Sequence, residues 1–290
     1  MLNILVIGSN GQLGAEIRSL SHGYPFQFLF TTRKELDISS LENINQYLNA
    51  KKVDVIINCA AYTAVDRAET EEEQANLVNH LAVQSIAKAA QSFDIKLIHV
   101  STDYVFEGIA YQPYLEDALT NPKNIYGKSK AAGERAMCNI NPDNSLIIRT
   151  SWVYSSFGSN FVKTMLKLGR KNDQLKVIDD QIGSPTYARD LAKAILDILP
   201  NLNHTGVEIY HYTNEGVCTW YDFAKSIMEF GDIDCNVLPQ LTENYPTPAK
   251  RPHFSVMSKY KIKEKFNIEI PYWRDALKEC ILLLKNEDSA

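Results

Sequence analysis

The chain opens with a strand, a glycine turn and a helix, with nothing between them. Asn3-Ile-Leu-Val-Ile7 is an apolar, β-branched run of the length of a buried strand, and Gly8-Ser-Asn-Gly11-Gln-Leu-Gly14 follows at once. Helical periodicity then continues through Ala15, Ile17, Arg18 and Leu20. Few folds begin this way. Glycines at 8, 11 and 14 let the backbone turn tightly, approach a pyrophosphate, and pack the helix on the strand. The helix N-terminus offers its free N–H groups and positive dipole end to phosphates. Asn10, Gln12 and Leu13, in the same turn, are candidate cofactor contacts with the three glycines. The spacing is G-x-x-G-x-x-G, one residue off the simplest dinucleotide fingerprint, so strand and helix carry the inference as much as the glycines do.

A second strand is predicted over 26–31. A ribose 2′-hydroxyl is usually read by a carboxylate just after this strand, whereas a 2′-phosphate attracts cations. Here Thr32-Arg33-Lys34 comes first and no acid appears until Glu35. NADPH is therefore the expected cofactor, with Arg33 over the phosphate and NADH as the alternative. Asp37 and Ile38 fall beside the adenine. A third strand over 53–58 ends in Cys59-Ala60-Ala61-Tyr62-Thr63, whose small residues let the backbone pass close to the cofactor.

Residues 95–100 read as a further buried strand running into Ser101-Thr102-Asp103-Tyr104. Thr102 thus stands at a strand's carboxyl end, where open α/β sheets bind ligands. Tyr126 and Lys130 begin a helix over 126–139 and lie on one face of it. An ammonium beside a phenol stabilises phenolate and is expected to ease loss of the Tyr126 proton. Tyr-x-x-x-Lys also occurs at Tyr47/Lys51 and Tyr221/Lys225, where it reads as a surface helix pair. Only the 126/130 copy follows a strand that ends in hydroxyls.

Strands and helices alternate through about residue 155, which calls for an α/β fold with a doubly wound parallel sheet, the Rossmann arrangement. Residues 71–92 read as one long helix, and 108–122 as a loop able to cover the site. Residues 1–155 are expected to form the dinucleotide-binding domain. Residues 156–290 read mainly as a smaller substrate-binding cap, with elements at about 175–200 returning to the sheet. At 290 residues and 45% hydrophobic content, there is ample material for such a core. The net charge of −5 gives no reason to expect nucleic acid or an anionic membrane as partner. No apolar run approaches the roughly 20 residues of a membrane helix, and the N-terminus lacks signal-peptide character. The five scattered cysteines, odd in number and without Cys-x-x-Cys, suit reduced thiols in a cytoplasm. Histidines show no ligand spacing, so no metal site is expected.

Taken together, these motifs resemble the extended short-chain dehydrogenase/reductase family over nearly the whole chain. The carriers are Gly8–Gly14, the run Cys59 to Glu69, Ser101-Thr-Asp-Tyr-Val-Phe106, and Tyr126-Gly-Lys-Ser-Lys130. Further carriers are Arg149-Thr-Ser-Trp-Val-Tyr154, Asp180-Gln-Ile-Gly-Ser-Pro-Thr186 and Tyr245-Pro-Thr-Pro-Ala-Lys-Arg-Pro252. Within the family, the resemblance implies a reductase acting on C4 of a nucleotide-linked 4-keto sugar. Thr102, Tyr126 and Lys130 would be catalytic, Tyr126 and Lys130 also meeting the cofactor. Val65, Asp103, Tyr104, Trp152 and Arg251 would surround the sugar nucleotide, although Arg251 has the alternative of pairing with an acid of its own chain. A dehydratase on this fold would need a second carboxylate where Tyr104 stands. An epimerase would retain oxidised cofactor, and a non-catalytic regulatory subunit would not need the intact Thr102, Tyr126 and Lys130. Some members of the family dimerise through a metal held by acidic residues, and the resemblance leaves a homodimer open here. Glu16 fits one ligand position, but Arg189 stands where an acid is expected, so Arg189 is the anticipated partner of Glu16 in any dimer.

Overall fold

Six strands lie side by side, all parallel: β1 (Asn3–Ile7), β2 (Gln27–Thr31), β3 (Val55–Asn58), β4 (Lys96–Thr102), β5 (Ser145–Thr150) and β6 (Val207–His211). Their order is β6-β5-β4-β3-β1-β2 in this computed structural model, which describes residues 1–288. Alternate side chains leave opposite faces of the sheet, so β1 sends Ile4 and Val6 one way and Leu5 and Ile7 the other. The first face is covered by α1 (Gln12–Leu20), by the helix Ala188–Ile198 and by Tyr260–Phe266. The second is covered by α2 (Leu41–Ala50), α3 (residues 72–92) and α4 (Ile125–Ile140). β3 and β5 are buried at every position, and they are apolar over Val55 to Ile57 and Leu146 to Ile148, as strands covered on both faces require.

Helix α3 departs from its expected form. It runs as Glu72–Asn76, then a π turn over Leu77–Leu81, then Ala82–Ser92. The periodicity of 71–92 predicts an unbroken α-helix; a π turn holds one extra residue and leaves that periodicity almost unchanged.

Residues expected to return to the sheet divide between two destinations. The helix Ala188–Ile198 packs on α1. The strand Gln174–Ile178 instead pairs in parallel with Asn236–Gln240, outside the main sheet, and Val207–His211 takes the sixth place. Gln174-Leu-Lys-Val-Ile alternates polar and apolar residues, as suits a ribbon with one wet face. This ribbon packs with helices Phe161–Gly169, Trp220–Gly231 and Trp273–Asp288 on a second core built from Val162, Leu166, Phe223, Ile227 and Leu277. Because Ala188–Ile198 lies beside α1, Arg189 Nη1 sits 3.3 Å from Glu16 Oε2 within one chain. Among the described residues no helix is long and apolar enough to cross a membrane.

Candidate active site

A cavity of about 480 Å³ opens at the carboxyl ends of β1, β2 and β3, where the strand order reverses. Gly8 and Gly11 form its floor, and Ala60, Ala61 and Tyr62 one wall. Gly8 has a φ of +78°, and a Cβ there would lie 2.7 Å from Ala60 N. A Cβ at Gly14 would lie 2.6 Å from Gly8 O, so the turn and α1 meet only because both lack side chains. No side chain caps α1, which leaves its first N–H groups to an anion. Asn10 is exposed at the turn, Leu13 is packed into the sheet core, and Gln12 Oε1 accepts from Asn160 Nδ2 at 2.9 Å. With both side chains engaged elsewhere, Gln12 and Leu13 have their backbone N–H groups left to offer a phosphate.

Arg33, Asp37 and Ile38 complete the cavity. Glu35 turns back on the strand end, accepting from Thr32 N at 2.8 Å and from Thr32 Oγ1 at 2.9 Å. One Asp37 oxygen accepts from Ser39 N and Oγ. The Arg33 guanidinium is left exposed at the rim. A dinucleotide fits these residues: a close backbone approach, an uncapped helix end, and a cation where a 2′-phosphate would lie.

Thr102 is the last residue of β4 and is in register with Thr150 of β5. Asn124 sets the start of α4: its Oδ1 accepts from Gly127 N at 2.7 Å, and its Nδ2 donates to Lys250 O at 2.8 Å. Tyr126 and Lys130 follow, one turn apart and both buried. Lys130 Nζ donates to Val100 O at 2.6 Å and lies 3.2 Å from His99 Nε2. Burial pushes Lys130 down to about 8, with Glu134 opposing. Tyr126 moves against expectation. Burial pushes it up to about 12, the Thr102 hydroxyl draws it down, and Asp103 adds to the rise. Loss of solvent around the phenol sets the direction, and Lys130 Nζ is turned to Val100 and His99.

Tyr104 meets Tyr126 edge to face, with ring centroids 5.5 Å apart, and Val65 and Tyr62 pack in the same cluster. Asp103 is buried, its Oδ1 accepting the Thr102 hydroxyl proton at 2.9 Å while its Oδ2 has no partner. Burial pushes its carboxyl up to about 6. Arg251 takes the alternative left open by the sequence: Nη1 and Nη2 grip the two oxygens of Asp66 at 3.1 and 2.8 Å. Trp152 belongs to a different group. It has a φ of +50° and stacks on Trp220 at 3.6 Å, among the residues of the second core. The loop 108–122 is tied down by Tyr114, whose hydroxyl accepts from the N–H groups of Gly108, Ile109 and Ala110.

Three polar residues at the site carry no sequence signature. Asn79, on the π turn of α3, accepts from Tyr62 N at 2.9 Å and donates to Tyr62 O and to Ser129 Oγ, both at 3.0 Å. Asn58 and His99 lie on β3 and β4 behind Lys130. A single polar residue inside an apolar strand reads only as an irregularity until its neighbour on the next strand is known.

A parallel dinucleotide-binding sheet, a threonine ending β4 and a Tyr–Lys pair on the helix after it define an extended short-chain dehydrogenase/reductase. The chain belongs to the family described as the RmlD substrate binding domain, whose model matches residues 2–286. It is 40% identical over 281 residues to the spore coat polysaccharide biosynthesis protein SpsK of Bacillus subtilis (strain 168), covering 97% of each chain. It is also 40% identical over 289 residues to the dTDP-4-dehydrorhamnose reductase of Aggregatibacter actinomycetemcomitans, covering 96% of this chain and 98% of that one. Among solved structures, the dTDP-4-dehydrorhamnose reductase of Bacillus anthracis in complex with NADP aligns with a TM-score of 0.93 at 35% identity. That match covers 98% of this chain and 100% of the other.

Proposed function

We propose that the chain is a dTDP-4-dehydrorhamnose reductase. It reduces the C4 keto group of dTDP-4-dehydro-6-deoxy-L-mannose to give dTDP-L-rhamnose, with NADPH as cofactor and NADH as the alternative. The bound nicotinamide supplies the hydride. Tyr126 gives its proton to the C4 oxygen, and a phenol held near 12 is protonated at neutral pH, as an acid for reduction must be. The Lys130 ammonium then stabilises the phenolate left behind. Thr102 holds the carbonyl, which requires its proton to leave Asp103 for the substrate. Val65, Asp103, Tyr104, Trp152 and Arg251 receive the sugar nucleotide; Arg251, already charged and oriented by Asp66, faces the diphosphate.

The observation that carries this reading is the intact Thr102, Tyr126 and Lys130 set at the carboxyl edge of the sheet, in a chain whose residues 2–286 match the family model. The test is consumption of NADPH and of NADH with dTDP-4-keto-L-rhamnose, wild type beside Tyr126→Phe. Rapid oxidation lost in the variant supports the assignment. A wild type inert with both cofactors on this substrate overturns it. A cytoplasmic location and a homodimer belong to the same reading. With Arg189 already holding Glu16, self-association is expected to be indifferent to chelators in sedimentation.

A further inference from the structure

Behind Tyr126 and Lys130 runs a chain of buried polar groups that the reduction as described does not use. Lys130 is 1% exposed, His99 0% and Asn58 1%. The proton positions along it follow from the partners. Ala60 N–H lies 3.1 Å from Asn58 Oδ1. A backbone N–H needs an acceptor, so that end of the amide is its oxygen, and the amide nitrogen faces His99 Nδ1 at 3.1 Å. Nδ1 therefore accepts. Burial holds the imidazole well below its ordinary pKa, so the ring is neutral and carries one proton. That proton sits on Nε2, facing Lys130 Nζ at 3.2 Å. An ammonium has no lone pair to accept it. The arrangement is that of Lys130 as the uncharged amine.

Charging Lys130 reverses the chain. The ammonium donates to Val100 O and to Nε2, the ring proton moves to Nδ1, and Asn58 turns its amide to accept it. Ala60 N–H then loses its acceptor, at the wall of the cofactor cavity. We propose that His99 and Asn58 are positioning residues that couple the proton on Lys130 to the Ala60 N–H, so that catalytic ammonium and cofactor wall change state together. Other charges around the chain do not substitute for this link. Glu134, one turn along α4, is held by Arg149 of β5 through Nε at 3.0 Å and Nη2 at 2.7 Å. Tyr126 is neutral, and Asn58 on β3 is uncharged. The proposal rests on the reading of Lys130 as catalytic, but its first test needs no turnover.

That test follows the histidine ¹⁵N and lysine ¹³Cε resonances of cofactor-free protein against pH. His99 is expected to pass from the Nδ1–H to the Nε2–H tautomer as pH rises, with the midpoint of Lys130, near 8. A single tautomer from about pH 6 to about pH 10, or a different midpoint, overturns the coupling. Asn58→Asp supplies the second test. Its carboxylate accepts from Ala60 N–H and from Nδ1–H at once, which removes the cost of the ammonium. His99 should then stay Nδ1–H, and the Lys130 midpoint and the alkaline fall in kcat/KM should rise together by about one pH unit or more. A new carboxylate also acts through space, so Asn58→Asp is repeated in a His99→Leu background. There the shift should fall to less than half, and an equal shift in both backgrounds overturns the relay. If His99→Leu does not fold, the tautomer of His99 in Asn58→Asp decides alone.

Discussion

Tyr126 and Lys130 illustrate how far single residues were legible. Their order after a strand ending in Thr102 was enough to single out this pair among three Tyr-x-x-x-Lys copies. The direction of the Tyr126 shift was not legible, because sequence spacing gives the neighbouring charge but not the depth of burial. Depth also sets the pH response. Lys130 is lowered to about 8, so its ammonium is present below that value and is lost as pH rises through it. The kcat/KM for reduction should accordingly fall on the alkaline side with an apparent pKa near 8, while Tyr126 at about 12 stays protonated throughout. Tyr126→Phe should lower kcat by about 10²–10⁴-fold and leave NADPH binding, read by fluorescence titration, within a few-fold of wild type. Arg33→Ala should weaken NADPH by about tenfold or more without weakening NADH, since only NADPH carries the phosphate that a guanidinium grips. Equal loss for both cofactors would place Arg33 outside the phosphate site.

At the level of elements, helices that start on a polar residue carry a sequence signal. Asn160 accepts from Lys163 N, and Thr219 forms a reciprocal capping box with Asp222; both stand just before an apolar helical period. The π turn of α3 was invisible for the opposite reason. It adds one residue without a breaker, and its purpose lies in a distant partner. By widening the helix at Leu77–Leu81 it brings the Asn79 amide to Tyr62 on the cavity wall and to Ser129 on α4. Asn79→Ala leaves those groups short of partners and should cost about 2 kcal/mol, measured by urea unfolding. It should also raise KM for NADPH, because Tyr62 lines the cofactor cavity. A variant as stable as wild type, with unchanged KM, would mean that the π turn has no such bridging role.

For the whole molecule, the alternation of strands and helices was sufficient to predict a parallel sheet, because each buried strand had to be apolar on both faces. It was not sufficient to choose the sixth strand, since residues 174–178 and 207–211 both alternate and edge positions accept either. The resulting connectivity has a consequence for how the protein is made. β5 is buried along its whole length, yet its outer neighbour β6 comes only after residues 151–206, which divide between the second core and the helix packed on α1. On the ribosome, at about 5–20 residues per second, the nascent sheet would stand for roughly 3–10 s with that edge unpaired. An apolar open edge is a template for other chains. A fragment ending at residue 155 should therefore partition into the insoluble fraction on expression, whereas the full chain stays in solution. In living cells the same interval is when a holdase chaperone would have a reason to bind the unfinished chain.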